Sequence, residues 1–129
     1  MYETTNEFSF VLKPSAHGIG VFATHGIKKG THLRLFGADE KGAKWRDRKD
    51  VPKLFWTWCL ELEDDRLFCP EDFGRMHLGW YMNHSRTPSA ENRNLVWYAL
   101  RDIEEGEEIT ADYNSFNEVE SAKEDFYNT

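Results

Sequence analysis

The feature that most restricts this chain is a corner that it uses twice. "GIKKGTHL" (26–33) and "DIEEGEEI" (102–109) both read Ile-x-x-Gly-x-x-aliphatic. Each is a charged turn that closes on glycine and feeds an apolar, strand-prone segment. Gly30 and Gly106 supply the backbone freedom that a tight reversal needs and bulkier residues lack. Two such corners in 129 residues leave room for short strands and little room for long helices. The rest of the chain agrees. "EFSFVLK" (7–13) alternates weakly as a strand does, "PSAHGIGVFAT" predicts a turn over 14–18 and a strand over 19–23, and "LVWYAL" (95–100) and "EEITADY" (107–113) predict two more.

"LFWTWCLEL" (54–62) has period-two order: Trp56, Trp58, Leu60 and Leu62 fall on one face, with Phe55, Thr57, Cys59 and Glu61 on the other. With "EDD" as a turn into "RLFC", a hairpin is expected. Pro70 followed by Glu71 and Asp72 suits the first turn of a helix, with acids at the positive end of its dipole. Gly74 and Gly79 keep that helix short. Residues 37–53 are polar and broken, a loop or short helix, and the tail "NEVESAKEDFYNT" is acidic. The fold class is therefore mostly β: many short strands with frequent turns.

One domain with a modest core fits this length. No apolar run approaches the ~20 residues of a membrane helix, and "MYETTNEFSFVL" is unlike a signal peptide. Cys59 and Cys69, ten apart, read as reduced thiols, so an intracellular location is expected, cytoplasmic or nuclear. Charge is segregated. Residues 28–53 carry nine Lys/Arg against four Asp/Glu, whereas 54–129 carry six against seventeen. An acidic majority attracts a basic partner such as a lysine-rich tail and repels phosphates, so no direct nucleic-acid binding is expected.

Single motifs decide little. "GIG" (18–20) precedes "VFAT", which is β-prone, so no helix N-terminus is at hand for a dinucleotide phosphate. His17, His25, His32, His77 and His84 show no metal-ligand spacing, and no metal is expected. "NHS" lacks the strand–turn–helix context of a hydrolase nucleophile. Taken in order, however, "HGIGVFATHGIKKG", "YMNHSRTPSA" and "LRDIEEGEEITADY" resemble the Gly-x-Gly, Asn-His-Ser and Gly-Glu-Glu-Ile/Leu-Thr-x-Asp-Tyr segments of the SET-domain protein lysine methyltransferases. The matches run from about residue 10 to 116, in the family's order and at roughly its minimal length.

That resemblance implies a SET-domain (β-clip) fold of several small sheets and short helices. Its C-terminal segment passes beneath a loop as a pseudoknot beside Asn83 and His84. The chain reads as a single SET domain over 1–129, with a core over 7–116, a variable insert over 37–78 and an acidic tail over 117–129. The resemblance also implies S-adenosylmethionine as cofactor, S-adenosylhomocysteine as product, and a lysine-containing protein as substrate, a histone or another basic protein. By motif, Gly18, Ile19, Gly20, Asn83, His84 and Phe116 are expected at the cofactor and Tyr113 at the point of methyl transfer. Tyr81 and Ala111 are expected, with Tyr113, along the lysine channel.

Departures from the family pattern are specific. Arg86 and Ser89 stand where the family often has Cys and Asn, and the cysteine-rich tail that closes the channel in many members is absent. The acidic tail, the insert or a second subunit of a homodimer would have to close it. Ala111, where Phe or Tyr is common, suggests a roomier channel suited to di- or trimethylation. The alternative readings are a SET-like module that binds peptide or cofactor without transferring methyl groups, and an interaction scaffold that binds no cofactor.

Overall fold

A computed structural model describes residues 4–6, 8–16, 18–36, 43–61, 65–93 and 96–116. Its strands are β1 (Phe10–Ser15), β2 (Gly18–Ala23), β3 (His32–Leu33), β4 (Ala43–Asp47), β5 (Arg66–Pro70), β6 (Asn83–His84), β7 (Ala90–Arg93), β8 (Val96–Ala99) and β9 (Glu108–Ala111). Among the described residues there are also four short 3-10 helices: η1 (Arg48–Asp50), η2 (Lys53–Trp58), η3 (Leu78–Tyr81) and η4 (Tyr113–Phe116). The strands form three small sheets in the orders β1-β2-β9-β6, β3-β8-β7 and β4-β5. The protein is thus mostly β, built of several small sheets as the resemblance implies. Among the described residues, no helix is long and apolar enough to cross a membrane.

The two glycine corners meet each other. Gly30 and Gly106 sit at φ 87° and 85°, in the left-handed region where a side chain is strained. The Ile27 amide donates to the Ile103 carbonyl at 2.8 Å, and the Ile103 amide returns the bond at 2.7 Å. The repeated motif therefore forms an antiparallel bridge between its own two copies, with both isoleucines buried. This pairing brings the chain's C-terminal third back onto its N-terminal quarter. From there β9 enters the first sheet between β2 and β6, antiparallel to one and parallel to the other.

The main core lies beneath these strands. Val21, Leu33, Leu35, Ile103 and Ile109 are essentially fully buried, with Trp97, Met82 and Ala111 packed among them. Each fully buried Leu or Ile contributes about 1.5–3 kcal/mol from removal of apolar area from water. A second cluster of Val51, Cys59, Leu67 and Cys69 supports the β4-β5 sheet, with Phe55, Trp56 and Phe73 against it.

Several expectations are corrected here. The segment expected as a strand over 54–62 is largely η2, which begins after Pro52. At three residues per turn, Leu54 and Thr57 share the solvent face, and Leu54 is 82% exposed. Phe55 and Trp56 turn inward instead: Phe55 stacks on Phe73 at 4.8 Å, and the Trp56 indole donates to the Val51 carbonyl at 2.9 Å. Of the anticipated hairpin the described residues show one bridge, Leu60 to Phe68, with β5 paired along its other edge to β4; residues 62–64, which include most of the expected turn, lie outside the described residues. That partner arises in 43–47, within the stretch read as a loop or short helix, and Arg48–Asp50 adds a 3-10 turn after it. No helix opens at Pro70. It ends β5 opposite Ala43, and the Asp72 carboxylate accepts from the Gly74 amide at 2.8 Å in a side-chain-closed turn. The tail over 117–129 lies outside the described residues.

Candidate active site

Threading β9 beside β6 assembles a polar cluster from parts that are far apart in sequence. Asn83 is level with Thr110 and His84 with Ala111, and the Ser85 amide donates to the Ala111 carbonyl at 3.0 Å. Ser89, fully buried, fastens the same strand from the other end of the loop. Its hydroxyl donates to the Glu108 carbonyl and accepts from the Thr110 amide, both at 3.0 Å, and its own amide donates to the Thr110 hydroxyl at 3.2 Å. A serine side chain thus supplies the pairing that a neighbouring strand would otherwise provide.

Asn83 is the hub on one side. Its side-chain nitrogen donates towards the Ile19 carbonyl and the Ser15 hydroxyl, each at 3.1 Å, and the Glu108 carboxylate at 2.7 Å. Glu108 reaches it because Gly20 has no side chain. A Cβ at position 20 would come within 3.0 Å of Glu108 Cδ and would overlap its carboxylate oxygen. Gly20 is buried, while Gly18, at φ 100°, and Ile19, 51% exposed, stand at the rim.

His84 is the hub on the other side. Its side chain is 3% exposed, its Nδ1 accepts from the Tyr113 amide at 3.1 Å, and Asp112 lies 3.8 Å from the same nitrogen. A ring nitrogen that accepts from an amide carries no proton, which assigns the Nε2-protonated neutral tautomer. The His84 and Tyr113 rings are 5.2 Å apart, and the Tyr113 hydroxyl donates to the Met82 carbonyl in a short bond. Asp112 accepts from the Asn114 amide at 3.0 Å, which turns the backbone from β9 into η4 and sets the direction of Tyr113.

The expected site residues are therefore distributed as follows. Asn83 meets Ile19 and, through Glu108, Gly20, while His84 meets Tyr113; the adjacency of Asn83 and His84 in β6 links the two groups. Ala111 is 1% exposed within the core, directly opposite His84. Tyr81 packs against that core and meets Trp58 edge-on, with ring centroids 5.3 Å apart. Phe116 closes η4, and its side chain lies outside the described residues. Reading the sequence did not single out Glu108, Ser15 or the Met82 carbonyl. Glu108 had a signal in the glycine it fills; a backbone carbonyl and an isolated serine had none.

Elsewhere, the Cys59 thiol is pushed up by burial and by its hydrogen bond to the Cys69 thiol, which makes Cys59 a poor nucleophile at neutral pH. The partly exposed Glu107 is held below the usual carboxylate range by the Glu104 amide, with Arg101 adding to the effect.

A family model described as the SET domain matches residues 18–114. Among solved structures, a candidate histone methyltransferase from Plasmodium falciparum superimposes with a TM-score of 0.58 at 21% identity, over 84% of this chain and 95% of that one. At that identity the likeness speaks for the fold. No curated protein matches the sequence significantly. The matched span contains both glycine corners, the Asn83–His84 strand and Tyr113, the parts that build the site, and so the chain belongs to the SET-domain family.

Proposed function

We propose that this protein transfers a methyl group from S-adenosylmethionine to a lysine ε-amine of a basic protein substrate. SET-domain membership carries S-adenosylmethionine-dependent lysine methylation as the general activity; the assignment of roles to residues of this chain is our reading. The observation that carries it is the convergence of Tyr113, Met82 and His84 beside Asn83.

The residue set fits the cofactor. Gly18 has open space where a Cβ would stand, so its backbone is approachable. The exposed Ile19 offers apolar cover, and Asn83 and His84 supply polar groups next to it. When bound, S-adenosylmethionine supplies an electrophilic methyl on a sulfonium. Phe116 and the backbone of Gly18 to Gly20 are assigned to the same cofactor and Tyr81 to the wall of the lysine channel; Ala111, buried in the core, would bear on that channel only through the room its small side chain leaves.

Lysine is the harder partner. Its ammonium has no lone pair, and making it neutral at pH 7 costs about 4–5 kcal/mol from a reference pKa near 10.4. Desolvation among aromatic side chains and a neighbouring cation both favour the neutral amine. Tyr113 then orients it. Because the phenol proton is committed to the Met82 carbonyl, the phenol oxygen is left to accept an amine N–H. A hydroxyl in that state is a poor base, so Tyr113 is assigned positioning of the amine rather than proton removal. Residues 54–129 carry six basic against seventeen acidic side chains, which favours a basic tail such as a histone's as substrate. Two buried thiols fit an intracellular setting.

The test is transfer of isotope-labelled methyl groups from S-adenosylmethionine to histones and other basic proteins. Incorporation on lysine that falls at least about a hundredfold in Tyr113→Phe is expected for loss of an orienting hydrogen bond at the reacting atom. Cofactor binding with no transfer to any protein in a lysate would leave a binding module instead. No cofactor binding would leave an interaction scaffold.

A further inference from the structure

The geometry points to Glu108 as a positioning residue. We propose that its carboxylate, housed in the space Gly20 leaves empty, holds the Asn83 amide with its nitrogen inward and its oxygen turned toward the ammonium of the cofactor's amino-acid end. This rests on the cofactor assignment above and adds to it a reason for the second glycine of the motif.

Which atoms can donate decides how the Asn83 amide sits. Three acceptors surround one side of the Asn83 amide: the Ile19 carbonyl, the Ser15 hydroxyl and the Glu108 carboxylate. A carbonyl and a carboxylate cannot donate, so an amide turned by 180° would set oxygen against oxygen at both. The Asn83 nitrogen is therefore locked inward, with two hydrogens shared among three acceptors. Its oxygen faces the other way and is an acceptor, the right polarity for an ammonium. Of the three inward partners, Glu108 is the nearest, at 2.7 Å, and the only one able to carry a charge.

Gly20 controls whether Glu108 can be there. Alanine at this position would bring a Cβ to 3.0 Å from Glu108 Cδ and 3.0 Å from Ser15 Cβ, and would overlap the carboxylate oxygen. Gly20 is not among the residues at positive φ, so the conflict is with the side chain rather than the backbone. The carboxylate is the flexible party and an alanine evicts it, while Ser15 Cβ, carried on the β1 backbone, must give by a few tenths of an ångström.

The experiment compares two probes by calorimetry: S-adenosylhomocysteine, which has the amino-acid end, and 5′-methylthioadenosine, which lacks it. In Glu108→Ala, affinity for the first is expected to fall about tenfold, the worth of one well-made hydrogen bond, with the second unchanged within about twofold. Asn83→Ala gives the same pattern, and the double variant falls no further than either single one. Gly20→Ala behaves as Glu108→Ala, and Glu108→Gln, which retains an acceptor oxygen, recovers most of the loss. Equal losses for both probes, no loss for either, or additive losses overturn the proposal. In ligand-free protein, slow exchange of the Asn83 side-chain amide protons by NMR is expected in the parent and lost in Glu108→Ala and Gly20→Ala. If the parent protein binds neither probe, the cofactor assignment fails, and with it the ammonium contact. The NMR arm separately decides whether Glu108 holds Asn83.

Discussion

Removing one buried oxygen, in Ser89→Ala, measures how firmly the C-terminal strand is held. Ser89 is fully buried, and its hydroxyl makes two hydrogen bonds of 3.0 Å to the backbone of β9, one to the Glu108 carbonyl and one from the Thr110 amide. Two ordinary hydrogen bonds are worth about 1 kcal/mol each net, which sets a floor near 2 kcal/mol. The larger effect is what remains, a carbonyl and an amide facing a methyl group in a site with no access to solvent. Leaving such a group unpaired costs about 1–3 kcal/mol, partly relieved if the strand shifts. The expected loss is about 2–4 kcal/mol, a large share of the ~5–15 kcal/mol typical of a domain.

Urea titration of parent and variant would read this as a lower midpoint at unchanged slope, and in a thermal scan as a drop of roughly 3–5 °C per kcal/mol for a chain of this size. Hydrogen exchange adds a local readout, since the Thr110 amide should lose protection beyond the change in global stability. Because Tyr113 and Glu108 flank the loosened segment, methyl transfer should fall as well. A stability change below about 0.5 kcal/mol, with Thr110 still protected, would mean that β9 is held by its pairing to β2 and β6 alone, and the clamp reasoning would be refuted.

Two further outcomes follow from packing and burial. In Gly79→Ala the new Cβ would stand 2.8 Å from Phe36 Cε1 and closer still to two other ring atoms; since Phe36 meets Trp80 edge-on and stacks on Trp97, a loss of about 1–3 kcal/mol is expected in urea titration, and a neutral result would show that the ring is free to turn away. Burial raises the Cys59 thiol above its unfolded value, so its contribution to stability is fully present below about pH 8.5 and is lost as the unfolded chain deprotonates above that. Midpoints measured from pH 7 to 10 should fall more steeply for the parent than for Cys59→Ala, and parallel curves would contradict the assignment.

What could be read from the sequence was whatever a backbone geometry or a reaction demands of residue type. Gly30 and Gly106 were legible as corners because φ values of 87° and 85° exclude most other residues; that the corners bridge each other through Ile27 and Ile103 was not, since periodicity carries no partner. The polar segment at 83–84 and the distant Tyr113 were legible through a family resemblance that covers most of the chain. The region 43–61 was misread because its stability comes from contacts across the chain rather than along it. Strand β4 holds Trp45 against Phe68 at 5.1 Å and Arg46 against the Pro70 and Glu71 carbonyls, partners about 24 residues away. In η2, alternating tryptophans satisfied a period of two, but a 3-10 turn puts Leu54 and Thr57 on the solvent side and leaves Trp56 and Trp58 both partly covered. Glu108 went unnoticed because a glutamate in a strand reads as a solvated position unless the space opposite it is known.

That last case shows how one four-residue strand serves two purposes without conflict. Along β9, Ile109 and Ala111 are 0% and 1% exposed and belong to the core, while Glu108 and Thr110 face the other way, toward Asn83 and Ser89. The alternation of a strand separates the residues that secure it from those that organise the polar cluster. Changing Glu108 leaves the apolar side of the strand and the Ser89 clamp in place, so that position can be altered to probe the site with the fold retained. Changing Ile109 removes a fully buried side chain from the strand that joins β2 to β6, and so must disturb fold and site together. A sequence with charge and hydroxyl on one face of this strand and aliphatic groups on the other is therefore what a site built around a threaded strand requires.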